Sequence, residues 1–229
     1  KKKKIKPDMV GTKKRDGTDD HNIFDVVRGV TKEVRPNKTD SEDTATNGLT
    51  AFGSDGYTIG DWGLMNQGHT YVSWNWKAAN SQGSSNTDGS INTTYTSANT
   101  TSGFSISTYT GTGSNASIGH GLGTIPHWLM FKRLNAGGFD WFCYHRSLGS
   151  GKFILLDTDG GEQSSSSIWQ NTTPTSSVIT LGGDGGVNAS GGTYVCYAFA
   201  EKQGFNRFGT YTGNGSTNGT FIYTGFKPS

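Results

Sequence analysis

The chain has 229 residues, of which 31% are hydrophobic, 17% are charged and 35 are Gly. That balance excludes a disordered polyelectrolyte and a helical protein, and a net charge of +2 gives no field of the kind that draws nucleic acid. It fits many short strands joined by Gly, Asn, Ser and Thr turns, with 12 Phe, 9 Tyr and 6 Trp supplying apolar area.

Lys1-Lys2-Lys3-Lys4 opens a basic stretch, and twelve of the 20 Lys and Arg lie in residues 1–38. Nine of the 18 Asp and Glu lie within residues 1–43, so the charge is neutralised locally and reads as a solvated surface rather than a polyanion-binding arm. The Lys run lacks the apolar core of a signal peptide. No run of 18 apolar residues occurs, so membrane insertion is not expected.

Met9 and Val10 lead into Lys13-Lys14-Arg15-Asp16-Gly17-Thr18-Asp19-Asp20, a turn by its Asp-Gly content. Ile23-Phe24-Asp25-Val26-Val27-Arg28-Gly29 reads as a β-branched strand closed by Gly. Residues 36–48 are a polar loop. Leu49-Thr50-Ala51-Phe52 and Tyr57-Thr58-Ile59 flank Gly53-Ser54-Asp55-Gly56 as a hairpin. In the next strand Val72, Trp74 and Trp76 share one face, which the period-2 rule assigns to the core.

Residues 78–101 are rich in Ser, Asn, Thr and Gly. A short flexible part is expected near 80–88, with a Thr-rich strand around Ile91 and Tyr95. Strands follow near 104–109, 127–133, 140–146 and 152–156, then a long loop over 157–177. Val178-Ile179-Thr180-Leu181 is a strand, residues 182–192 a Gly-rich turn, and Thr193-Tyr194-Val195-Cys196-Tyr197-Ala198-Phe199 a closing strand. No helix-period apolar stripe runs for ten residues, so no helix is expected between Gly103 and Phe199.

These elements repeat. Thr70-Tyr71-Val72 matches Thr193-Tyr194-Val195, and Pro7-Asp8-Met9-Val10 matches Pro126-His127-Trp128-Leu129. Thr210-Tyr211-Thr212-Gly213 echoes Thr108-Tyr109-Thr110-Gly111. The expected fold is all-β, as tandem antiparallel sandwich-like modules: a first over 1–79 lacking its start, a complete second over 80–203, and the opening strands of a third over 204–229. The chain therefore reads as an excerpt of a longer polypeptide. Cys143 and Cys196 match Ile23 and Ser73 in the first module, so two buried free thiols are favoured over a disulfide.

Candidate chemistry is sparse. Asp157-Thr158-Asp159-Gly160-Gly161-Glu162 spaces carboxylates as a calcium loop does, with Asp157, Asp159 and Glu162 as ligands, but the series is short and a solvated turn is the favoured reading. His21, His69, His120, His127 and His145 have no zinc-ligand spacing. There is no nucleophile elbow or phosphate-binding loop. Asp19, Asp20, Asp25, Asp140 and Glu162 could serve a glycosidase only if the fold brought two together across a cleft. The chain is therefore read as non-enzymatic, with no cofactor. Trp62, Trp169 and Trp141 are the candidates for stacking on sugar rings, the first two because they fall in loops.

Val27-Arg28-Gly29-Val30-Thr31-Lys32, Ser54-Asp55-Gly56-Tyr57-Thr58-Ile59-Gly60, Gly68-His69-Thr70-Tyr71-Val72-Ser73-Trp74-Asn75-Trp76-Lys77-Ala78 and Tyr211-Thr212-Gly213-Asn214-Gly215-Ser216 resemble tandem modules of tail-fibre-type proteins of marine bacteriophages. Met9-Val10-Gly11, where that pattern prefers a bulkier strand, and Arg35-Pro36 depart from it. The resemblance implies a structural, extracellular virion protein in a tail fibre or similar appendage. Its expected partners are other copies of itself, as a homotrimer, other virion proteins and host-surface glycans. The rivals are an extracellular carbohydrate-binding module and a capsid decoration protein.

Overall fold

The computed structural model describes residues 5–227. The Lys1–Lys4 run and the final Pro228 and Ser229 lie outside the described residues. The architecture is all-β with two four-residue helices.

The first half contributes β1 (Met9–Lys14), β2 (Asn22–Asp25), β3 (Gly29–Val34), β4 (Asp43–Thr44), the hairpin β5 (Leu49–Phe52) and β6 (Tyr57–Ile59), and β7 (Tyr71–Trp76). The second contributes β8 (Tyr95–Asn99), β9 (Phe104–Thr110), β10 (Ala116–Gly119), β11 (Trp128–Arg133), β12 (Phe142–His145), β13 (Lys152–Leu155) and β14 (Gln163–Ser164). After these come α1 (Ser166–Trp169), β15 (Val178–Leu181), α2 (Gly185–Asn188) and β16 (Thr193–Phe199).

The repeat legible in the sequence is a repeat of topology. One sheet runs β4-β3-β2-β1-β7 and the other β14-β13-β12-β11-β16-β9-β8. The registers agree as well: Met9 lies across from Asp25 and Trp76, just as Trp128 lies across from His145 and Phe199. The difference is at one edge. In the second sheet β16 is flanked on its far side by β9, whereas β7 is an outermost strand.

Side chains alternate between faces along each strand, and the two sheets turn equivalent faces toward one another. Met9, Ile23, Val27 and Val34 from the first sheet and its turn form one apolar seam with Phe104, Ile106, Trp141, Val195, Tyr197 and Phe199. Each such large side chain taken out of water contributes on the order of 1.5–3 kcal/mol. The opposite face of the first sheet, with Val10 and Phe24, is covered by the β5–β6 hairpin and Met65. The opposite face of the second sheet, with Leu129, Phe131, Tyr144 and Cys196, is covered by the β10–β15 pair together with Ile168, Trp169 and Val187 of the two helices.

A buried charge cluster pins the seam. Asp25 ends β2: its Oδ1 accepts the main-chain N–H groups of Val27 (3.0 Å) and Arg28 (2.9 Å), and the chain reverses through Gly29 at φ +99°. Its Oδ2 accepts from Arg28 Nε at 2.6 Å and from the Tyr197 hydroxyl of β16 at 2.6 Å. Arg28 Nη1 also reaches Glu42 at 3.2 Å. Burial alone would lower the Arg28 pKa, but Asp25, Tyr197 and Glu42 outweigh it and the net shift is upward. Burial likewise pushes the Tyr197 phenol well above its ordinary range.

Several expectations are corrected. Trp74 is 47% exposed, and Trp76 is only partly buried against the seam. Their alternation is that of a core face, but an edge strand has no neighbour to cover it. The segment expected as one strand from Ile23 to Gly29 stops at Asp25, because the Asp25 carboxylate stabilises a turn there. Two helices interrupt the loops after β14 and β15. In each, a side chain caps the N-terminus: Ser165 accepts from Ser167 N, and Asp184 from Gly186 N. Residues 80–88 form a bonded loop rather than a flexible one. Asp8 Oδ2 accepts from Ala78 N (2.7 Å) and Asn80 N (3.0 Å), and Thr96 N donates to Ser84 O at 2.7 Å. The strands expected over 204–229 are absent from the described residues 204–227, of which only Asn206 takes part in an isolated bridge, with Lys202.

Candidate functional site

The outer end of the seam opens into an apolar groove of about 270 Å³. Its walls are Met9, Gly11, Trp74 and Trp76 from the first sheet and Trp128, Met130 and Phe199 from the second, with Phe208 entering from the chain that follows β16. The groove follows from local sequence. Gly11 occupies the place that Met130 fills in the second sheet, so β1 offers no side chain there. Trp74, beside Gly11 in the register, stands at the open edge.

Polar groups cluster beside the groove. The His127 ring stacks on Phe208 at 6.5 Å between centroids, and the His145 ring meets Trp128 edge-on at 5.7 Å. His127 Nε2 lies 2.8 Å from Arg146 Nη1 and 3.6 Å from Glu201 Oε2, and Glu201 Oε1 accepts from Phe208 N at 3.0 Å. Burial lowers the pKa of both histidines; Glu201 opposes the shift at each, and Arg146 adds to it at His127. Glu201 and Arg146 are thus occupied in fixing His127 and the path of the chain toward Phe208. The arrangement suits an apolar or aromatic side chain entering beside Trp74 and Trp76.

The residues singled out in the sequence fall elsewhere. Trp141 is fully buried in the seam, and its indole N–H donates to Arg35 O at 2.8 Å. Trp169 is fully buried in α1, against Phe131 and Tyr144, with its N–H on Lys152 O. Neither ring can meet a sugar, which corrects the expectation of exposed loop aromatics. Trp62 is partly buried and edge-on to Phe24 at 6.0 Å, packed under the hairpin. No two of these three share a cluster.

The calcium candidates are not brought together either. Asp157 Oδ1 accepts from Trp141 N at 2.9 Å, Glu162 pairs with Lys152, and Asp159 joins neither. Among the described residues no three His, Cys, Asp or Glu side chains converge as metal ligands. Of the carboxylates considered for hydrolysis, Asp19 pairs with Lys14, Asp20 accepts from Asn37, and Asp25 is the buried partner of Arg28. His120 is a buried structural group: its Nδ1 accepts from Leu122 N, its Nε2 lies 3.2 Å from Thr175 O, and burial lowers its pKa. Cys143 and Cys196 are free, buried thiols whose pKa values burial raises. Among the described residues no helix is long and apolar enough to cross a membrane.

Sequence reasoning missed the groove because it is made by strands of two sheets far apart in sequence and by one residue too small to fill its place. The signal was present: the alignment of Gly11 with Met130 marks the gap.

A family model described as a domain of unknown function (DUF7483) matches residues 2–229. No curated protein and no solved structure matches the chain.

Proposed function

The chain belongs to the DUF7483 family, and we propose that it is a structural, non-enzymatic component of a bacteriophage virion, a repeated β module of a tail fibre or similar appendage that takes part in host-surface attachment. The observation that carries this reading is the duplicated five-strand order, β4-β3-β2-β1-β7 and β14-β13-β12-β11-β16, with equivalent faces packed together. A unit that buries its own repeat against itself can be strung in series, and each addition needs contacts only with its neighbours. The buried polar groups fit the same role: Asp25, Arg28 and Tyr197 hold the two sheets, and Lys132 binds the main-chain oxygens of Lys38 and Phe139 across the same halves. The test is immunogold negative-stain microscopy of virions that encode the chain, using antibody raised against it. Gold on tail appendages is expected. Gold on the capsid surface alone, or on no part of the particle, overturns the reading.

A further inference from the structure

The outer edge of β7 is a vacancy in an otherwise repeated sheet. Arg15 N donates to Thr70 O, and alternation along the β1–β7 ladder then assigns Val72, Trp74 and Trp76 to β1. The main-chain groups of Tyr71, Ser73 and Asn75 are left facing outward. Their counterparts in β16 are Tyr194, Cys196 and Ala198, whose register partners in β9 are Tyr109, Ser107 and Ser105. The bonds of Gly111 N to Gly192 O and Ala200 N to Gly103 O bracket that ladder.

Space is open on both faces of this edge. On one side lies the groove beside Trp74. On the other is a pocket of about 320 Å³ lined by Tyr57, Ile59, Met65, Tyr71 and Ser73. In the second sheet β9 fills both corresponding places: Phe104 and Ile106 go into the seam, and Tyr109 goes to the opposite face, stacked on Tyr194 at 5.2 Å.

The chain carries a second segment of the β9 kind that is not paired as a strand, although its Phe208 borders the groove of its own chain against His127 and Phe199. Phe208, Thr210, Tyr211, Thr212 and Gly213 align with Ile106, Thr108, Tyr109, Thr110 and Gly111. Residues 209–227 form no strand, and Tyr211 is 70% exposed and Phe221 85%. The side-chain hydrogen bonds of this segment, such as Asn214 to Asn218 O and Thr220 to Thr212 O, stay within it.

We propose that residues 205–213 of a second copy of this chain add to the outer edge of β7 as an antiparallel strand, completing the first sheet as β9 completes the second. In that register Tyr211, Gly209 and Arg207 of the donor bond to Tyr71, Ser73 and Asn75 of the acceptor. The donor's Phe208 leaves the groove of its own chain and enters the acceptor's beside Trp74, and Tyr211 stacks on Tyr71. Exposed edges recruit strands through main-chain hydrogen bonds, while alternate side chains set the register. Each copy has one β7 edge to fill and one such segment to give, so the contact is head-to-tail and extends into a filament instead of closing a symmetric dimer. The pairing does not depend on the virion reading and stands or falls by itself.

Two full-length variants test it. Ser73→Pro removes an N–H that points away from β1, which an edge strand tolerates, and blocks the acceptor. Gly209→Pro blocks the donor. In sedimentation velocity the unmodified chain should form species that lengthen with concentration, each variant alone should stay at 24.5 kDa, and an equimolar mixture should form a dimer and go no further. The mixture is the decisive arm, because each variant keeps one working element. For the unmodified chain, hydrogen exchange at the amides of Tyr71, Ser73 and Asn75 should slow at least tenfold between dilute and concentrated samples. A chain that stays monomeric at every concentration overturns the proposal, as does a mixture without dimer. So does concentration-independent protection of those amides, which would mean that the chain's own residues 205–213 close the edge.

Discussion

The charge cluster at the seam gives the sharpest quantitative test. Arg28→Met keeps most of the aliphatic stem but removes the guanidinium that contacts Asp25 Oδ2 at 2.6 Å, Glu42 at 3.2 Å and Ile23 O at 3.1 Å. Asp25 is then left fully buried with no cation, although it keeps the main-chain N–H groups of Val27 and residue 28 and the Tyr197 hydroxyl. Stranding one member of a buried pair is destabilising by about 3–5 kcal/mol. The three surviving donors put the expected loss near the lower end, about 3 kcal/mol. In a chain of this size that range corresponds to a fall in Tm of about 6–20 °C. Urea titration followed by tryptophan fluorescence reads the change. Asp25→Asn combined with Arg28→Met should recover part of the loss, since no unpaired charge remains. Lys152→Met, which breaks the exposed pair with Glu162, should change stability by no more than about 0.5 kcal/mol. A loss below about 1 kcal/mol for Arg28→Met, or equality with Lys152→Met, would refute the assignment of the cluster as the pin between the sheets.

Three further outcomes are expected. Gly103 has φ +70°, and a Cβ there would lie 2.4 Å from Ala200 O, so Gly103→Ala should lose on the order of 2–3 kcal/mol by urea titration. Lys132 is fully buried, and burial pushes its pKa down to about 8. Between pH 8 and its unfolded value the unfolded chain binds the extra proton, so this residue's contribution to stability rises with pH across that window and is flat below it. The stability difference between the unmodified chain and Lys132→Met should therefore shift in favour of lysine by on the order of 2–3 kcal/mol from pH 8 to 10.5, as read by urea titrations at each pH. Cys143 and Cys196 should resist an aromatic disulfide reagent in the native protein and both titrate after denaturation. Labelling of the folded chain at the rate of a free thiol would contradict their burial.

The sequence was most informative where a strand is covered on both sides. In β16 the alternation puts Val195, Tyr197 and Phe199 on one face and Tyr194, Cys196 and Ala198 on the other, and the structure buries both; the β5–β6 hairpin follows from Gly53-Ser54-Asp55-Gly56. β7 carries the same alternation, yet Trp74 is exposed, because periodicity reports which residues share a face and not whether a neighbouring strand is present. Trp169 was misplaced for a related reason. A helix of four residues is too short to show a period, and only its Ser165 cap hinted at it. The Asp25–Arg28–Tyr197 cluster joins residues 172 positions apart in sequence, a pairing that no local pattern encodes. The groove depends on Gly11 standing where its counterpart is Met130, a comparison that gains meaning only once the sheets are seen to face each other.

The seam belongs to neither half alone, since Met9 and Ile23 share their packing with Phe104, Val195 and Phe199. Melting one half would strip the other of its inner lining, so calorimetry should record one cooperative transition. A single protease cut in the link between β7 and β8 should leave two fragments that still migrate together. Durability under mechanical load would then reside in how the halves clasp, and pulling from the two ends would meet its main resistance there.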